Sequence, residues 1–529
     1  MKTKRIKCVI KTFSPVHIGC DDLYEPTGFA VDDKTNSLVV FDPVSFISSL
    51  NQNDRNKFSE ICKKGTIESI IEIYRFLRNR PLRGKSVSFC KGFKKHYDNV
   101  LGLTSGKIKN ELNKFEIHRT AYSPFDQRPY IPGSSIKGAL RTAYLNKLVN
   151  KSTDFTAYIK KLNSDNKDNR RNNKPQIKVH KKLEEKLLKL DGEKQVDKIF
   201  KDPFRLIKVS DFMPAGDIKT KIFYIINKKK TASQKEASGP YQILETILPD
   251  ACFTGEITIE APQIKNAVSF AIDYKELFES LNLFYIKEKI REDKELGNIN
   301  ITPPLAPQHT GDDVAIIRTG RHSGAESVTI EKYRDIRIKK GQKEFYFSDH
   351  STTLWLASEN QKNLSNNALL PLGWSMINVL THETEKLLIK NEKEYQNKCK
   401  DALNIEKASK KELLEKKERE AEQIRIKQQE EEAIKKAEKE KQEKLAAMSP
   451  EERAIDDILN NPQIAENKVV EIFNAIDDFS EKNKIELAAA LKKYWHYHGK
   501  WEKKKGKKTK AVEKQRSRVQ HIKNILKED

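Results

Sequence analysis

The chain has 529 residues, enough for roughly three to four ordinary domains. Its 100 Lys and Arg against 76 Asp and Glu leave a formal charge of +24, which makes nucleic acid or an anionic membrane surface the leading partner class. A 37% hydrophobic content argues against a wholly disordered chain, and the lack of a run of about eighteen apolar residues argues against a membrane span.

The opening residues alternate Ile6, Cys8 and Ile10 with Lys7 and Lys11, the period of a strand, and hold no continuous apolar stretch of the kind a secretory signal needs. Six scattered cysteines without a C-x-x-C pair point to a reducing cytoplasm rather than a disulfide framework or zinc site. Val39–Phe41 predicts a second short strand. Ile67, Ile70, Ile71, Tyr74 and Leu77 then predict a helix, stopped by Pro81. The Pro-bearing loop 123–132 leads into another helix, with Ser134 or Ser135 as its cap and Ile136, Ala139, Leu140 and Ala143 as its apolar stripe. Residues 151–200, with 14 Lys or Arg against 8 Asp or Glu, read as an inserted mobile loop followed by a basic helix near 179–190. Order returns at 205–212, 221–226, 241–247 and the β-rich 252–260, with a helix over 274–293. Val314–Arg318, Ser327–Glu331 and Thr352–Leu356 read as strands.

Residues 383–447 carry 18 positive and 17 negative side chains with no Pro or Gly, the pattern of a long solvated helix or helical hairpin. Ser449-Pro450-Glu451-Glu452 opens a small helical domain, 448–529. Its tail from 500 onward has 12 basic and 4 acidic residues, concentrated at Lys503, Lys504, Lys505, Lys507, Lys508 and Lys510. This tail should attract nucleic acid through charge alone.

Three segments carry chemistry. In Pro132–Arg141, a Gly133-Ser134-Ser135 turn opening a helix exposes backbone N–H groups suited to phosphate, and Lys137 and Arg141 share a face. Ala139-Leu140 stands where a P-loop needs Lys-Ser/Thr, so a nucleoside-triphosphate site is not supported. The competing reading is an ordinary capped helix. In Arg318–Gly324, a strand enters a turn whose Gly320 and Gly324 permit close approach, while Arg318, Arg321, His322 and Ser323 offer donors. The competing reading is a tight surface turn. His17, just after the first strand, is either an RNA contact or a hydrogen-bonded structural residue. Two acidic stretches, Asp21-Asp22 with Asp32-Asp33, and Asp312-Asp313, would suit a metal-dependent ribonuclease, but no set of three ligands is readable. No catalytic residue, metal or cofactor is expected. Cys20 near His17, and His496 and His498 around Tyr497 beside Trp495 and Trp501, read as packing.

Several segments resemble the RAMP superfamily of CRISPR proteins. They are Ser14-Pro15-Val16-His17-Ile18-Gly19, Phe29-Ala30-Val31-Asp32, Phe41-Asp42 and Ile131–Arg141, and Arg205–Asp211 resembles the strand that opens the family's second half. Arg318–Thr329, Thr353-Leu354-Trp355-Leu356-Ala357 and Leu372-Gly373-Trp374 are similar to the glycine-bearing loop and closing motifs of the fifth-subunit family of type III-A (Csm) effectors. The resemblance covers about 1–380, in family order; the remainder departs from the short ending of that subunit family.

The resemblance implies an α+β fold of two RNA-recognition-motif-like (ferredoxin-like) halves with insertions, at 1–150 and 201–382 around the insertion 151–200. The charged helical arm 383–447 and the all-α domain 448–529 follow. It implies a non-catalytic subunit that binds the 3′ side of the CRISPR RNA (crRNA), caps the backbone filament and supports crRNA maturation and antiviral defence. The implied partners are crRNA and the neighbouring Csm backbone and small helical subunits, with target RNA and a 3′-trimming nuclease as further candidates and no membrane. The alternatives are a metal-dependent RAMP endoribonuclease and a generic RNA-binding protein with a helical arm.

Overall fold

The computed structural model describes residues 2–528 except 81, 83, 104–107, 153, 172–176, 232–236, 238, 265–266, 307–310, 341–343, 363–367, 462 and 503–509. Pro81 and the run from Lys503 to Lys508 therefore lie outside the described residues. The chain forms two compact units, Met1–Lys400 and Asp401–Asp529.

In chain order the strands are β1 (Lys4–Thr12), β2 (Gly19–Leu23), β3 (Phe29–Asp32), β4 (Ser37–Val40), β5 (Lys85–Phe89), β6 (Ile117–Thr120), β7 (Ile207–Val209), β8 (Met213–Pro214), β9 (Thr220–Lys229), β10 (Gln242–Ile247), β11 (Cys252–Ile259), β12 (Val314–Arg318), β13 (Ile336–Lys340), β14 (Glu344–Ser348), β15 (Thr353–Ser358), β16 (Leu370–Pro371) and β17 (Trp374–Val379). The helices of the first unit are α1 (Pro43–Ser49), α2 (Gln52–Lys63), α3 (Ile67–Leu77), α4 (Lys91–Leu101), α5 (Ile108–Leu112), α6 (Gly133–Lys151), α7 (Thr156–Arg171), α8 (Val179–Leu187), α9 (Gln195–Lys201) and α10 (Tyr274–Gly297). The long α11 (His382–Ala447) follows, then α12 (Pro450–Asn460), α13 (Glu466–Asn474), α14 (Glu481–Tyr497) and α15 (Lys510–Leu526).

One sheet runs β12-β17-β1-β11-β7, with β8 also on β11. The alternation in β1 decides its faces. Ile6, Cys8 and Ile10 join Leu140, Phe278 and Leu281 of α6 and α10 in one core, while Lys7 and Lys11 stay exposed. Traced along the chain, β1–α6–β7–β11–α10–β12 is a βαββαβ order, with β17 wedged antiparallel between β12 and β1. The other sheet runs β2-β6-β10-β9-β5-β4-β3, and β15 also pairs with β9. Ile71 and Tyr74 of α3 and Phe93 and Tyr97 of α4 pack in its core. Both sheets mix strands from before residue 150 with strands from after 200, so the expected halves are interleaved rather than consecutive.

Three expectations differ in detail. The mobile loop anticipated after residue 151 is helical from Thr156, and Phe155, Ile159 and Leu183 pack against Leu145 and Val149. Ser327–Glu331 is no strand: Glu326–Val328 makes a 3-10 turn around a buried carboxylate. The charged helix is not detached at its start. Leu388 packs on Val9 and Ala215, Lys7 pairs with Glu385 at 2.6 Å, and Glu392 receives both Arg128 nitrogens at 2.8 Å plus the Gly216 N–H at 2.8 Å. From Asp401 to Ala447 its described side chains are almost all exposed.

The second unit has its own core. Ser449 and Glu452 form a capping box at the start of α12, with Pro450 in the first turn. Ile455, Val469, Leu487, Leu491, Trp495 and Ile522 bring α12–α15 together.

Candidate RNA interface

The site begins where β1 and the parallel β12 end. Past β1 the chain turns at Ser14–His17; past β12 it turns at Thr319–Gly324; and Leu372–Trp374 enters β17 between them. The Thr319 N–H donates to Gly373 O at 2.9 Å, the Gly373 N–H to Pro15 O at 2.9 Å, and the Arg321 N–H to His17 O at 2.8 Å. Three motifs far apart in sequence thus form one backbone knot. Gly320 adopts φ +91°, and a Cβ there would stand 2.5 Å from His17 O, so glycine is required for both conformation and space.

Arg318 is not the solvent-facing donor expected. It is buried, and its guanidinium donates to Leu372 O at 3.0 Å, Ser327 Oγ at 3.2 Å and Glu292 Oε1 at 2.7 Å. Trp374 Nε1 donates to the other oxygen of Glu292 at 2.5 Å. Around them Arg334 pairs with Glu288, Arg291 with Glu288 (3.0 Å) and Glu295 (2.7 Å), and Lys230 with Glu326 (2.6 Å). These opposed charges tie the loop to α10. Ser323 is likewise buried, and Gly324 (φ +83°) lies against the Arg318 guanidinium.

Arg321 has the opposite fate. Its side chain is exposed and makes no ion pair among the described residues. Beside it His322, held at φ +64°, stacks on Trp355 with ring centroids 4.7 Å apart and lies 2.8 Å from Gln242 Oε1. Trp355 and His322 are both half-buried. Burial, then the Arg321 charge, push the His322 pKa down to about 4; His118 on β6 is lowered by the same two causes. His17 is fully buried. Its Nδ1–H donates to Glu245 O at 2.7 Å, its Nε2 has no partner among the described residues, and burial lowers its pKa to about 4. His17 is therefore a neutral strut beneath the loop, with no exposed atom for RNA.

The α6 start is a different place. The Gly133 N–H donates to the Asp211 carboxylate at 2.8 Å, and a Cβ at 133 would lie 2.2 Å from Val209 O. Neither serine caps the helix; the N-cap is Pro132, and Asp211 occupies the position expected for an anion. Arg141 is tied to Glu184 and, at 2.9 Å, to Asp202, so it is not free for phosphate as expected. Ser134 is exposed, Ser135 is half-buried and donates its N–H to Pro132 O, and Lys137 is half-buried. Burial, then Lys208, hold the Lys137 ammonium below the ordinary lysine range.

A family model described as the RAMP superfamily matches residues 9–516. The chain belongs to the RAMP superfamily. Over 216 residues it is 30% identical to a curated relative, CRISPR system Cms protein Csm5 of Methanocaldococcus jannaschii; the match covers 40% of this chain and 42% of the relative. The chain thus spans about two fifths of the curated relative it matches. Two solved structures are similar, each with 70% of this chain and 100% of theirs covered. One is a chain from a cryo-EM Csm–crRNA–target RNA ternary complex of a type III-A CRISPR-Cas system (TM-score 0.44, 17% identity), the other T. onnurineus Csm5 (TM-score 0.42, 18% identity).

Sequence reasoning missed a further feature of this RAMP chain. Strands β13 and β14 form a separate two-stranded hairpin with Phe345, Tyr346 and Phe347 all exposed. The Arg337 guanidinium lies over the Phe345 ring at 3.8 Å, and Phe345 meets Phe347 edge-on at 5.7 Å. The signal was the alternation Ile336-Arg337-Ile338-Lys339 followed by three aromatics. The aspartates, by contrast, are dispersed. Asp33 binds Arg78 and Asn79, Asp32 accepts from Thr35 and the Lys34 N–H, Asp22 accepts from Tyr122, and Asp312 pairs with Lys275. Among the described residues no group of three or more His, Cys, Asp or Glu is arranged to hold a metal ion.

Proposed function

We propose that this RAMP chain is a non-catalytic RNA-binding subunit of a type III-A CRISPR (Csm) effector. It holds the 3′ side of the crRNA, caps the backbone filament beside Csm backbone and small helical subunits, and supports crRNA maturation and antiviral defence. Family membership and the Csm5 relative support the class of complex. The observation that carries RNA contact is Arg321, a cation without an ion-pair partner among the described residues, on a pinned loop beside the half-buried His322–Trp355 stack. A single strand needs this combination: a cation for phosphate and a π-face for a base. The hairpin with Arg337, Phe345 and Phe347 offers the same chemistry a second time within the first unit.

Arg321→Ala tests the proposal on the full chain with a labelled single-stranded RNA. Affinity should fall, and the salt dependence of log K should flatten by roughly 0.7, the share of one phosphate contact on a single strand. The melting temperature should not move, because the side chain is exposed and unpaired. Unchanged affinity and slope would remove the loop from the interface.

A further inference from the structure

The helical unit after Asp401 has a core of its own and an uneven distribution of charge. Residues 450–489 carry ten acidic against four basic side chains, whereas the described residues of 490–528 carry nine basic against three acidic. Much of the acidic end is occupied. Glu451 accepts from Ser480 and Asn483, Asp457 pairs with Lys468 at 2.6 Å and Asp477 with Lys484 at 2.8 Å. At the basic end Lys493, Lys514 and Lys527 are exposed and make no ion pair among the described residues.

The same end carries aromatic surface. His496 stacks on Trp501 at 5.4 Å with planes 27° apart, and the Lys492 ammonium lies 5.7 Å from the Trp501 ring. Tyr497 is 84% exposed at the end of α14, four residues after Lys493 and so on the same helix face. Lys493 also borders a cleft of about 490 Å³ that is bounded by Ala489, Lys492, Lys493, His496, Leu526 and Glu528. Among the described residues of α12–α15 the other exposed large apolar side chains are Leu459 and Ile485.

We propose that the face made by the C-terminal half of α14 and by α15 is a second single-stranded RNA site, independent of the Arg321 loop. Unpaired lysines would follow the phosphates, and Tyr497 with the His496–Trp501 stack would take bases. Exposed Tyr497 and the neighbouring His496–Trp501 stack among unpaired cations fit this ligand better than an apolar protein surface, which would need contiguous apolar area.

The test uses the full chain and a fluorescein-labelled 12-nucleotide oligouridylate, read by anisotropy over a salt series. In the Arg321→Ala background, binding should persist with a measurable salt slope. Adding Lys493→Ala and Tyr497→Ala should weaken it about tenfold and flatten the slope by roughly 0.7. Both side chains are exposed, so the melting curve should be unchanged. Equal affinity with and without the added pair would overturn the second site, as would complete loss of binding with Arg321→Ala alone. If Arg321→Ala changes nothing while the Lys493/Tyr497 pair does, the second site stands and the loop reading falls. If the pair spares RNA binding but weakens retention of effector proteins, the face is a protein contact and the inference is overturned.

Discussion

Two glycine-bearing basic segments, Arg318–Gly324 and Gly133–Arg141, look alike in composition and differ in what the fold does with them. Both use a glycine for close approach, and in both the partner is the chain itself: His17 O at the first, Val209 O at the second. At the helix start the anion position is filled by Asp211, and Arg141 is held by Glu184 and Asp202. At the loop one arginine is buried against Glu292 while its neighbour three residues on has no ion-pair partner among the described residues. A glycine with basic neighbours therefore marks self-packing first. Interface character depends on which cation the packing leaves over.

The sharpest way to break this comparison is Arg318→Ala. It would leave Glu292 buried without its partner, a loss of about 3–5 kcal/mol for a buried ion pair cut on one side. Urea denaturation should show it, and an unchanged midpoint would mean that Arg318 does not anchor the loop.

Next come the glycines of α6. Gly133→Ala forces a Cβ to 2.2 Å from a backbone oxygen and should cost more than about 2 kcal/mol. Gly138, exposed with nothing within 4 Å of its would-be Cβ, should gain about 0.5–1 kcal/mol as alanine. Equal responses at the two positions would remove the packing argument.

Acid sharpens the loop side. His17 and His322 each have a folded pKa of about 4, below the usual histidine value. As pH falls the unfolded chain protonates first, so their contribution is complete above about pH 6.5 and lost progressively towards pH 4. The urea midpoint should therefore drop between pH 7.5 and 5, and His17→Asn should make that drop shallower.

The smallest stability effect belongs to Arg321→Ala, within about 0.5 kcal/mol by the same urea assay. A larger loss would make Arg321 a structural residue like Arg318.

Much of the fold was legible because period and capping are local. β1, α3, α6 and α10 follow directly from apolar spacing, and α12 from its Ser-Pro-Glu-Glu start. The glycine loop was legible as a location. What escaped was pairing over distance. Nothing near Arg318 in sequence announces Glu292, and nothing near Gly133 announces Asp211. Counting charges within a segment cannot reveal which are neutralised from another. The same limit hid the docking of Leu388 and Glu392, since a helix polar all round gives no sign that its first turns lie on a sheet. The β13–β14 hairpin escaped for another reason: its aromatics are exposed, so burial periodicity does not mark them.

The position of β17 between β1 and β12 also sets a timetable. β1 leaves the ribosome well before its pairing partners, residues 252–259 and 375–379. At roughly 5–20 residues per second of synthesis, β1 waits about 12–50 s for its first neighbour and longer for its second. For that interval Ile6, Cys8 and Ile10 lack the core that later buries them. The nascent chain must keep an apolar strand from pairing with other chains, and the lysines at 2, 4, 7 and 11 place like charges along it throughout the delay.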